Sequence, residues 1–293
     1  MAHAGSVGEI WRFPVKSMQG ERLAAADFTA SGLTGDRAYA LIDAATGKVA
    51  SAKAARMFPG ILGCTASFIE PPRPGAETPP VRIAFPDGAS VTSDAPDAGA
   101  RLSAYFGREV RLARSAPEDF TIEQYVPDIE GADAGGRRDV VVDAPLGGAI
   151  FAQLGVPSPL APGSFLDAFP VSILTTSTLA HLHELAPGSR FDVRRFRMNL
   201  ILDTGSAAFV ENEWLGKQLA VGDGAGFRVT IPDPRCVITT LEQPELPEDS
   251  DVLRALVSHN RLDVAGNTLP CAGVYAVVSQ AGVVRVGDTV AVA

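Results

Sequence analysis

The chain is poor in the residues and motifs that mark several classes of protein. Its 293 residues include three cysteines and four histidines, with no C-x-x-C pair, so neither a disulfide framework nor a zinc ribbon is indicated. No stretch approaches the roughly 18 apolar residues that a membrane-spanning helix needs, and the first residues lack the pattern of a signal peptide. These absences predict a cytoplasmic protein without a membrane partner.

Positive charge is also scarce. Acidic residues outnumber basic ones by 34 to 25, which gives a formal net charge of −9 at pH 7. A general nucleic-acid surface needs clustered positive charge, so nucleic acid is not an expected partner. Apolar residues make up 46% of the chain, which is enough for a sizeable core. The composition therefore predicts an ordinary globular protein, and it leaves room for a local basic site.

Short apolar runs separated by turn residues fill the first hundred residues. One of them, VRIAFPDGASV at residues 81–91, contains the Pro-Asp-Gly turn that is typical of a hairpin. A short helix is expected within residues 93–107, which end in a glycine. The spacing predicts antiparallel strands in a barrel-like domain over residues 1–114.

The second half of the chain combines further strands with a few helices. Residues 115–168 are rich in Gly, Pro, Asp and Ala, and they predict a long loop-rich connection. From residue 169 strand patterns dominate, with helices predicted at STLAHLHELA and DSDVLRALVSH. The prediction is a mainly β fold with a few helices, of the α+β class, in which a second β-barrel domain occupies residues 115–293.

Four arginines lie within eight residues of this acidic chain, namely Arg190, Arg194, Arg195 and Arg197. If RRFRMNLIL is a strand, its two-residue period places Arg195, Arg197 and Asn199 on one face. Guanidinium groups bind phosphate bidentately, so this face is a candidate anion site. A solvated face paired with acidic residues is an equally weighted alternative.

One cysteine differs from the others in its surroundings. Cys236 follows an apolar strand and the Pro-x-Pro sequence of IPDPRC, which would place its thiol at the end of the strand. Arg235 beside it would favour the thiolate, which is a nucleophile or a ligand for a soft metal. A buried apolar role is the equally weighted alternative, and it is the expectation for Cys64 and Cys271.

Several segments, taken in order, resemble the MOSC family, which is named after the C-terminal domain of molybdenum cofactor sulfurase. The matching segments are IWRFPVKSMQGE, GLTGDRAYALID, TGKVASAK, RRFRMNLILD, DPRCVITTLE and GVVRVGDTV. The resemblance extends over nearly the whole chain and includes the β-barrel domain that usually precedes the MOSC domain. It implies a molybdenum–molybdopterin cofactor, whose metal is held by the cofactor's dithiolene and by one protein cysteine.

Carried onto this chain, the resemblance implies that Cys236 is the metal ligand and the catalytic residue. Arg197 and Asn199 of FRMN match the family's Phe-Arg-Pro-Asn segment. With the neighbouring arginines and hydroxyl groups included, the predicted cofactor-binding residues are Lys16, Ser51, Lys53, Arg195, Arg197, Asn199, Arg235, Thr239 and Thr240.

Three residues depart from the family pattern. Met198 replaces the proline of Phe-Arg-Pro-Asn, and Lys53 stands where an arginine is usual. Asp233 occupies the position at which relatives often have the first cysteine of Cys-x-x-Cys. The lysine weakens the expected phosphate contact, because an ammonium group lacks the bidentate fork of a guanidinium group.

The function that the resemblance implies is reduction of N-hydroxylated compounds by a molybdenum-dependent oxidoreductase. Amidoximes, hydroxylamines and N-hydroxylated bases are the expected substrates. Because the chain carries no cysteine set for an iron–sulfur cluster, electrons are expected from a separate donor, a ferredoxin- or cytochrome-type reductase. Two alternatives stay open, a carrier of sulfur or of the cofactor without reductase activity, and a protein that keeps the fold without the cofactor.

Overall fold

The computed structural model describes residues 2–205 and 208–293. Within them the strands, in chain order, are β1 Ala2–Arg12, β2 Glu21–Leu23, β3 Ala25–Thr29, β4 Gly32–Leu33, β5 Ala40–Asp43, β6 Thr65–Phe68, β7 Val81–Ala84, β8 Ser90–Thr92, β9 Val110–Ala113, β10 Thr121–Val126, β11 Val140–Pro145, β12 Val171–Thr175, β13 Leu200–Asp203, β14 Gln218–Val221, β15 Ala225–Pro234, β16 Arg261–Val264, β17 Asn267–Gln280, β18 Gly282–Arg285 and β19 Thr289–Val292. The α-helices are α1 Ala98–Phe106, α2 Gly148–Leu154, α3 Thr176–Leu185, α4 Val193–Phe196 and α5 Asp251–His259. The prediction of a mainly β fold with a few helices is confirmed.

A closed barrel of strands forms the centre of the molecule. Its strands follow the order β12, β13, β1, β19, β14, β15 and β17, and β17 pairs with β12 to close the ring. All neighbours are antiparallel except β12 and β13. Along β15 the buried residues Ala225, Phe227 and Val229 alternate with more exposed ones, which is the two-residue period of a strand that fills a core from one face.

The first strand of the chain belongs to this barrel. β1 pairs with β13 on one side and with β19 on the other, whereas β3 pairs with β18 in a separate three-stranded sheet. The division into residues 1–114 and 115–293 stays a prediction. The strand pairing means that the two regions share one barrel wall, so side chains that follow β1 lie close to those of the second half.

A second core lies under the remaining strands of the first hundred residues. β6, β7 and β8 form an antiparallel sheet, in which β7 and β8 are the predicted hairpin. α1 covers part of this core and ends at Gly107, whose left-handed φ of 62° favours glycine. The predicted helix and hairpin are therefore confirmed.

The segment 115–168 contains more regular structure than its composition suggests. β10 and β11 pair as an antiparallel hairpin, and α2 follows them before the irregular residues that lead to β12. The side chains of Val140 and Val141 are 37% and 52% exposed, so β11 shows no alternation of buried and exposed positions. The prediction of a purely loop-rich segment missed this hairpin for that reason.

The segment RRFRMNLIL is not one strand, and that prediction is wrong. Asp192 caps α4, because its carboxylate accepts a hydrogen bond from the backbone N of Arg194. Arg197 follows in the left-handed region with a φ of 56°, and β13 begins only at Leu200. The local cap and the turn thus override the alternating pattern.

Among the residues that the structure describes, no helix is long and apolar enough to cross a membrane.

Candidate functional site

The Cys236 loop begins where β15 ends. Cys236 precedes a short 3-10 turn, Val237–Thr240, and is partly exposed, whereas Cys64 and Cys271 are buried. Thr239 donates to the carbonyl oxygen of Cys236 from its backbone N at 3.2 Å and from its hydroxyl at 3.0 Å. The cysteine therefore lies at the strand end, as predicted, on a turn that its own hydrogen bonds close.

The two predicted threonines stabilise this turn. Their side chains are buried, and the Thr240 hydroxyl donates to the carbonyl oxygen of Val237 at 2.8 Å. Because the hydroxyl groups of Thr239 and Thr240 both bond to the backbone of the turn, the structure places them in its framework. A direct contact with the cofactor stays a prediction for both residues.

Arg195 lies beneath the loop and is completely buried. Its Nε donates to the carbonyl of Arg190 at 3.0 Å, and its Nη1 donates to Thr239 and Leu241 at 3.1 and 3.2 Å. Its Nη2 donates to Pro247 at 2.7 Å. Burial lowers the pKa of Arg195, but the carbonyl groups solvate the charge. Arg195 thus clamps the loop, and its direct contact with the cofactor stays a prediction.

Arg235, the residue before Cys236, links the Cys236 loop to the turn that follows α4. Its Nη1 lies 2.7 Å from Oδ2 of Asp233, and its Nη2 donates to the carbonyl of Phe196. Its Nη1 also lies 3.5 Å from the sulfur of Met198. Burial alone would lower the pKa of Arg235, but the charge of Asp233 raises it on balance. The guanidinium group stays charged beside the cysteine.

Two lysines form a second group around an aspartate that the sequence analysis did not select. Lys16 donates from Nζ to the carbonyl of Phe165 at 2.9 Å and also to the carboxylate of Asp167. Lys53 donates to the other carboxylate oxygen of Asp167 at 2.8 Å. Asp167 lies in the segment predicted as loop-rich, where no local pattern marks it, so sequence reasoning missed it.

The ionisation of this group depends on its burial. Burial lowers the pKa of Lys16 to about 8, although Asp167 attracts its charge. Burial would also lower the pKa of Lys53, but the charges of Asp167 and Cys236 raise it on balance. For Asp167, burial opposes ionisation and the two lysines overcome it, so its pKa lies below the ordinary range. The interaction with Cys236 places the Lys53 ammonium near the thiol.

Arg197 carries a donor without a partner. Its side chain is buried, its guanidinium carbon lies 4.4 Å from the ring centroid of Phe13, and Nη1 has no hydrogen-bond partner. Burial, followed by the neighbouring charge of Arg37, lowers the pKa of Arg197 to about 9. Buried N–H groups without partners are rare in proteins. An anionic ligand would satisfy this one and neutralise part of the repulsion.

Arg37 is a further cationic residue that the structure adds. It forms an ion pair with Asp36, and its Nη2 also donates to the carbonyl of Arg197 at 2.9 Å. Its guanidinium carbon lies 4.5 Å from the Phe13 centroid. The signal in the sequence is a charged pair directly after a glycine turn, but the contact with Arg197 depends on residues far apart in the chain.

Asn199 and Ser51 have structural partners. Oδ1 of Asn199 accepts from the backbone N and the hydroxyl of Ser172, and its Nδ2 donates to Asp36 at 2.9 Å. Ser51 caps the short turn that carries Lys53, because its hydroxyl accepts from the backbone N of Lys53 at 3.1 Å. Both residues position the cationic group, and a contact of either with the cofactor stays a prediction.

Apart from Arg235 and Cys236, the predicted residues separate into two sets. Asp167 is the common neighbour of one set, because its charge acts on Lys16, Lys53 and Arg197. The other set supports the backbone and consists of Ser51, Arg195, Asn199, Thr239 and Thr240. The predicted single face of Arg195, Arg197 and Asn199 does not exist, since each contacts a different part of the structure.

The donor set fits an anionic ligand that carries a soft metal. A partly exposed thiol lies next to an ammonium group, and the unpartnered Nη1 of Arg197 adds an unused donor. Thiolates are the ligands that soft metals prefer. Within residues 2–205 and 208–293, no three His, Cys, Asp or Glu side chains are grouped to hold a metal ion by themselves.

A cavity of about 340 Å³ opens on the Arg37 side of the site. Its walls include Asp36, Arg37, the proline-rich residues 72–78 and residues 161–166. Leu166 in this wall directly precedes Asp167. The site therefore has free space beside one of its cationic residues.

Two family models match the chain. The MOSC N-terminal beta barrel domain matches residues 4–99, and the MOSC domain matches residues 161–291. This chain carries a MOSC N-terminal domain and a MOSC domain. The family is associated with the molybdenum cofactor, which agrees with the anionic ligand and the soft metal that the site fits.

Similar proteins cover different shares of the chain. Human mitochondrial amidoxime-reducing component 1 is 22% identical over 317 aligned positions, which span 99% of this chain and 83% of the human protein. Bovine mitochondrial amidoxime reducing component 2 is 28% identical over 132 residues, which span 43% of this chain and only 38% of the bovine protein. Among solved structures, the YUAD protein from Bacillus subtilis is 12% identical, with a TM-score of 0.45 and coverage of 98% and 94% of the two chains.

Proposed function

We propose that this MOSC protein is a molybdenum-cofactor oxidoreductase that reduces N-hydroxylated compounds, with Cys236 as the metal ligand. The observation that carries the proposal is the partly exposed Cys236 beside Lys53, within a buried cationic group that retains an unpartnered guanidinium N–H. The names of the relatives, which are amidoxime-reducing components, support this substrate class.

The chain's own residues would divide the work of binding. Lys16, Lys53 and Arg197 would hold the phosphate and other anionic parts of the cofactor, because all three cations lie within the electrostatic reach of Asp167. Cys236 would supply the thiolate beside the Lys53 ammonium group. When bound, the molybdenum cofactor supplies two-electron redox chemistry.

The framework residues would keep the thiol in place during turnover. Arg195 holds the loop from below through four carbonyl groups, and Arg235 anchors it to the turn after α4. Preorganised sites of this kind lose little energy to rearrangement when the ligand binds. Net reduction of an N-hydroxyl group breaks the N–O bond and releases water. It consumes two protons and two electrons, and the electrons come from a separate donor protein.

The first experiment compares the metal and pterin content of the wild-type protein with that of Cys236→Ala, both made in a host that synthesises the cofactor. Cys64→Ala is the matched control, because Cys64 is a buried cysteine outside the site. We expect near-stoichiometric molybdenum in the wild type and in the control, and its loss in Cys236→Ala without loss of folding. Equal molybdenum in all three proteins would contradict the assignment of Cys236 as the ligand.

Activity then separates the reductase from a carrier. The loaded wild-type protein is expected to reduce benzamidoxime when a chemically reduced dye supplies the electrons, and Cys236→Ala is expected to be inactive. A protein that binds molybdenum but reduces no N-hydroxylated compound would favour a carrier of the cofactor. A protein without molybdenum that carries labile sulfur on Cys236 would favour a carrier of sulfur.

A further inference from the structure

Asp233 is a buried acid in the candidate site that the proposed function leaves without a role. Its side chain is 2% exposed, and its Oδ2 forms the ion pair with Arg235 at 2.7 Å. Its Oδ1 has no partner at close hydrogen-bond geometry, although the Tyr275 hydroxyl lies near enough to interact with the carboxyl group. A buried carboxyl group that is incompletely satisfied costs free energy, which makes this acid a candidate for a functional role.

The groups around Asp233 come from every element that packs against it. Arg235 follows it in the loop, Tyr275 and Cys271 lie on β17, and the charges of Asp167 and Lys53 also act on it. Lys53 is the residue whose ammonium also interacts with Cys236. Lys53 thus interacts with Asp233 and with Cys236, so the acid and the thiol belong to one cluster of charged groups.

These surroundings keep a proton available to the carboxyl group. Burial raises the pKa of Asp233 to about 6, in spite of the attraction of Arg235. Burial and the neighbouring Asp233 raise the pKa of Tyr275 well above its ordinary value, so its hydroxyl keeps its proton. The pair combines an acid that titrates near neutral pH with a hydroxyl group that can relay a proton.

An aromatic wall closes one side of this pair. The ring of Phe169 stacks on Tyr275 at 5.3 Å, and Phe151 meets Phe169 edge to face at 5.7 Å. Apolar rings limit the access of water, which strengthens electrostatic interactions within the enclosed group. Asp233 itself departs from the family pattern, because the resemblance expects a cysteine at this position.

We propose that Asp233, acting through the Tyr275 hydroxyl, delivers a proton to the oxygen that leaves when the N–O bond of the substrate breaks. The proposal rests on the proposed function. The bond cleavage takes two electrons from the electron-donor protein, one proton comes from Asp233, the second comes from solvent, and the oxygen leaves as water. Water then returns a proton to Asp233, which completes the cycle.

The test uses the molybdenum-loaded protein with a reduced dye as electron donor and benzamidoxime as substrate. Wild-type kcat is expected to fall as the pH rises through about 6, because Asp233 acts in its protonated form. Asp233→Asn should lower kcat at pH 6 by about 100-fold or more and lose this pH dependence, with KM and molybdenum content unchanged. Tyr275→Phe should lower kcat in the same direction.

Matched control variants separate this role from a general loss of stability or activity. Asp43 is also 2% exposed and also pairs with an arginine, Arg108, but it lies outside the site, so Asp43→Asn should keep the wild-type pH profile. Tyr125, whose hydroxyl bonds to Asp139, gives the control Tyr125→Phe. If Asp233→Asn does not fold, Asp233→Cys is the second variant, because the family resemblance often places a cysteine at this position. It should also lose the change in kcat near pH 6.

A second readout does not depend on turnover. Infrared difference spectra of the loaded protein should show a buried carboxyl group that titrates near pH 6 in the wild type and is missing in Asp233→Asn. An unchanged kcat and pH profile in Asp233→Asn, or a wild-type spectrum without this carboxyl group, would overturn the proposal. A loaded wild-type protein that shows the carboxyl group but reduces no N-hydroxylated compound would instead refute the proposed function.

Discussion

The cations on the two sides of the site have different partners. On the loop side, Arg195 is fully buried and its guanidinium group donates to four carbonyl groups. On the lysine side, Lys16 and Lys53 share one carboxylate, and Arg197 has a buried N–H without any partner. Both sides contain buried positive charge, but Arg195 donates from every nitrogen of its guanidinium group, whereas the buried Nη1 of Arg197 has no partner.

The difference separates support from binding. A guanidinium group solvated by carbonyl groups holds the backbone in place, so its removal should affect folding first. A cation held near other cations, with a depressed pKa and an unused donor, is poised for an anion that the protein does not supply. Buried cations occur in both regions, and their hydrogen-bond partners distinguish them.

The largest expected effect is a loss of stability when Arg195 is removed from the loop side. Arg195→Met leaves four carbonyl groups without their donor and should lower the free energy of unfolding by about 3 kcal/mol or more, measured by urea denaturation. Arg194→Met is the control, because Arg194 is partly exposed and pairs with Asp192, so its loss should cost less than about 1 kcal/mol. Equal losses of unfolding free energy in the two variants would show that Arg195 supports the loop no more than the partly exposed Arg194 does.

The next prediction tests the cost of burying charge on the lysine side. The pKa of Lys16 is about 8 in the folded protein, against 10.5 for an ordinary lysine. Between these values the unfolded chain binds more protons, so wild-type stability should rise with pH from 8 to 10.5 relative to Lys16→Met. The rise should reach about 3 kcal/mol at most, and urea denaturation at pH 7.5 and 10 measures it. A constant difference between the two proteins would contradict the buried charge.

A third variant sharpens the contrast between two arginines that lie two residues apart. Arg197→Met should change the free energy of unfolding by less than about 1 kcal/mol, since the charge it removes is buried and incompletely satisfied. The same variant should contain several-fold less molybdenum than the wild type. A large loss of stability with full molybdenum content would show that Arg197 belongs to the framework instead.

The smallest effect concerns the cap that positions Lys53. Ser51→Ala removes the side-chain acceptor for the backbone N of Lys53 and should cost about 1 kcal/mol. Ser51→Thr keeps that acceptor and should retain wild-type stability and molybdenum content. If Ser51→Ala keeps full stability but loses molybdenum, Ser51 contacts the cofactor directly, as the family resemblance implies.

Local patterns predicted much of this fold. The Pro-Asp-Gly hairpin, α1 with its terminal glycine and the thiol at the end of β15 all follow from signals within a few residues. The strand predicted through Arg195 and Arg197 failed, because a cap at Asp192 and the left-handed turn at Arg197 override a two-residue period. The hairpin of β10 and β11 was missed because its exposed positions do not alternate.

Long-range contacts decided the rest. Lys16 meets Asp167 across 151 positions of the chain, and Arg195 meets the carbonyl of Pro247 across 52. The sequence alone determined the β class, the placement of Cys236 and the supply of positive charge near it. Only the tertiary structure decided which cations hold the loop, which share Asp167 and which keeps a free donor, because those roles depend on partners that no local pattern can bring together.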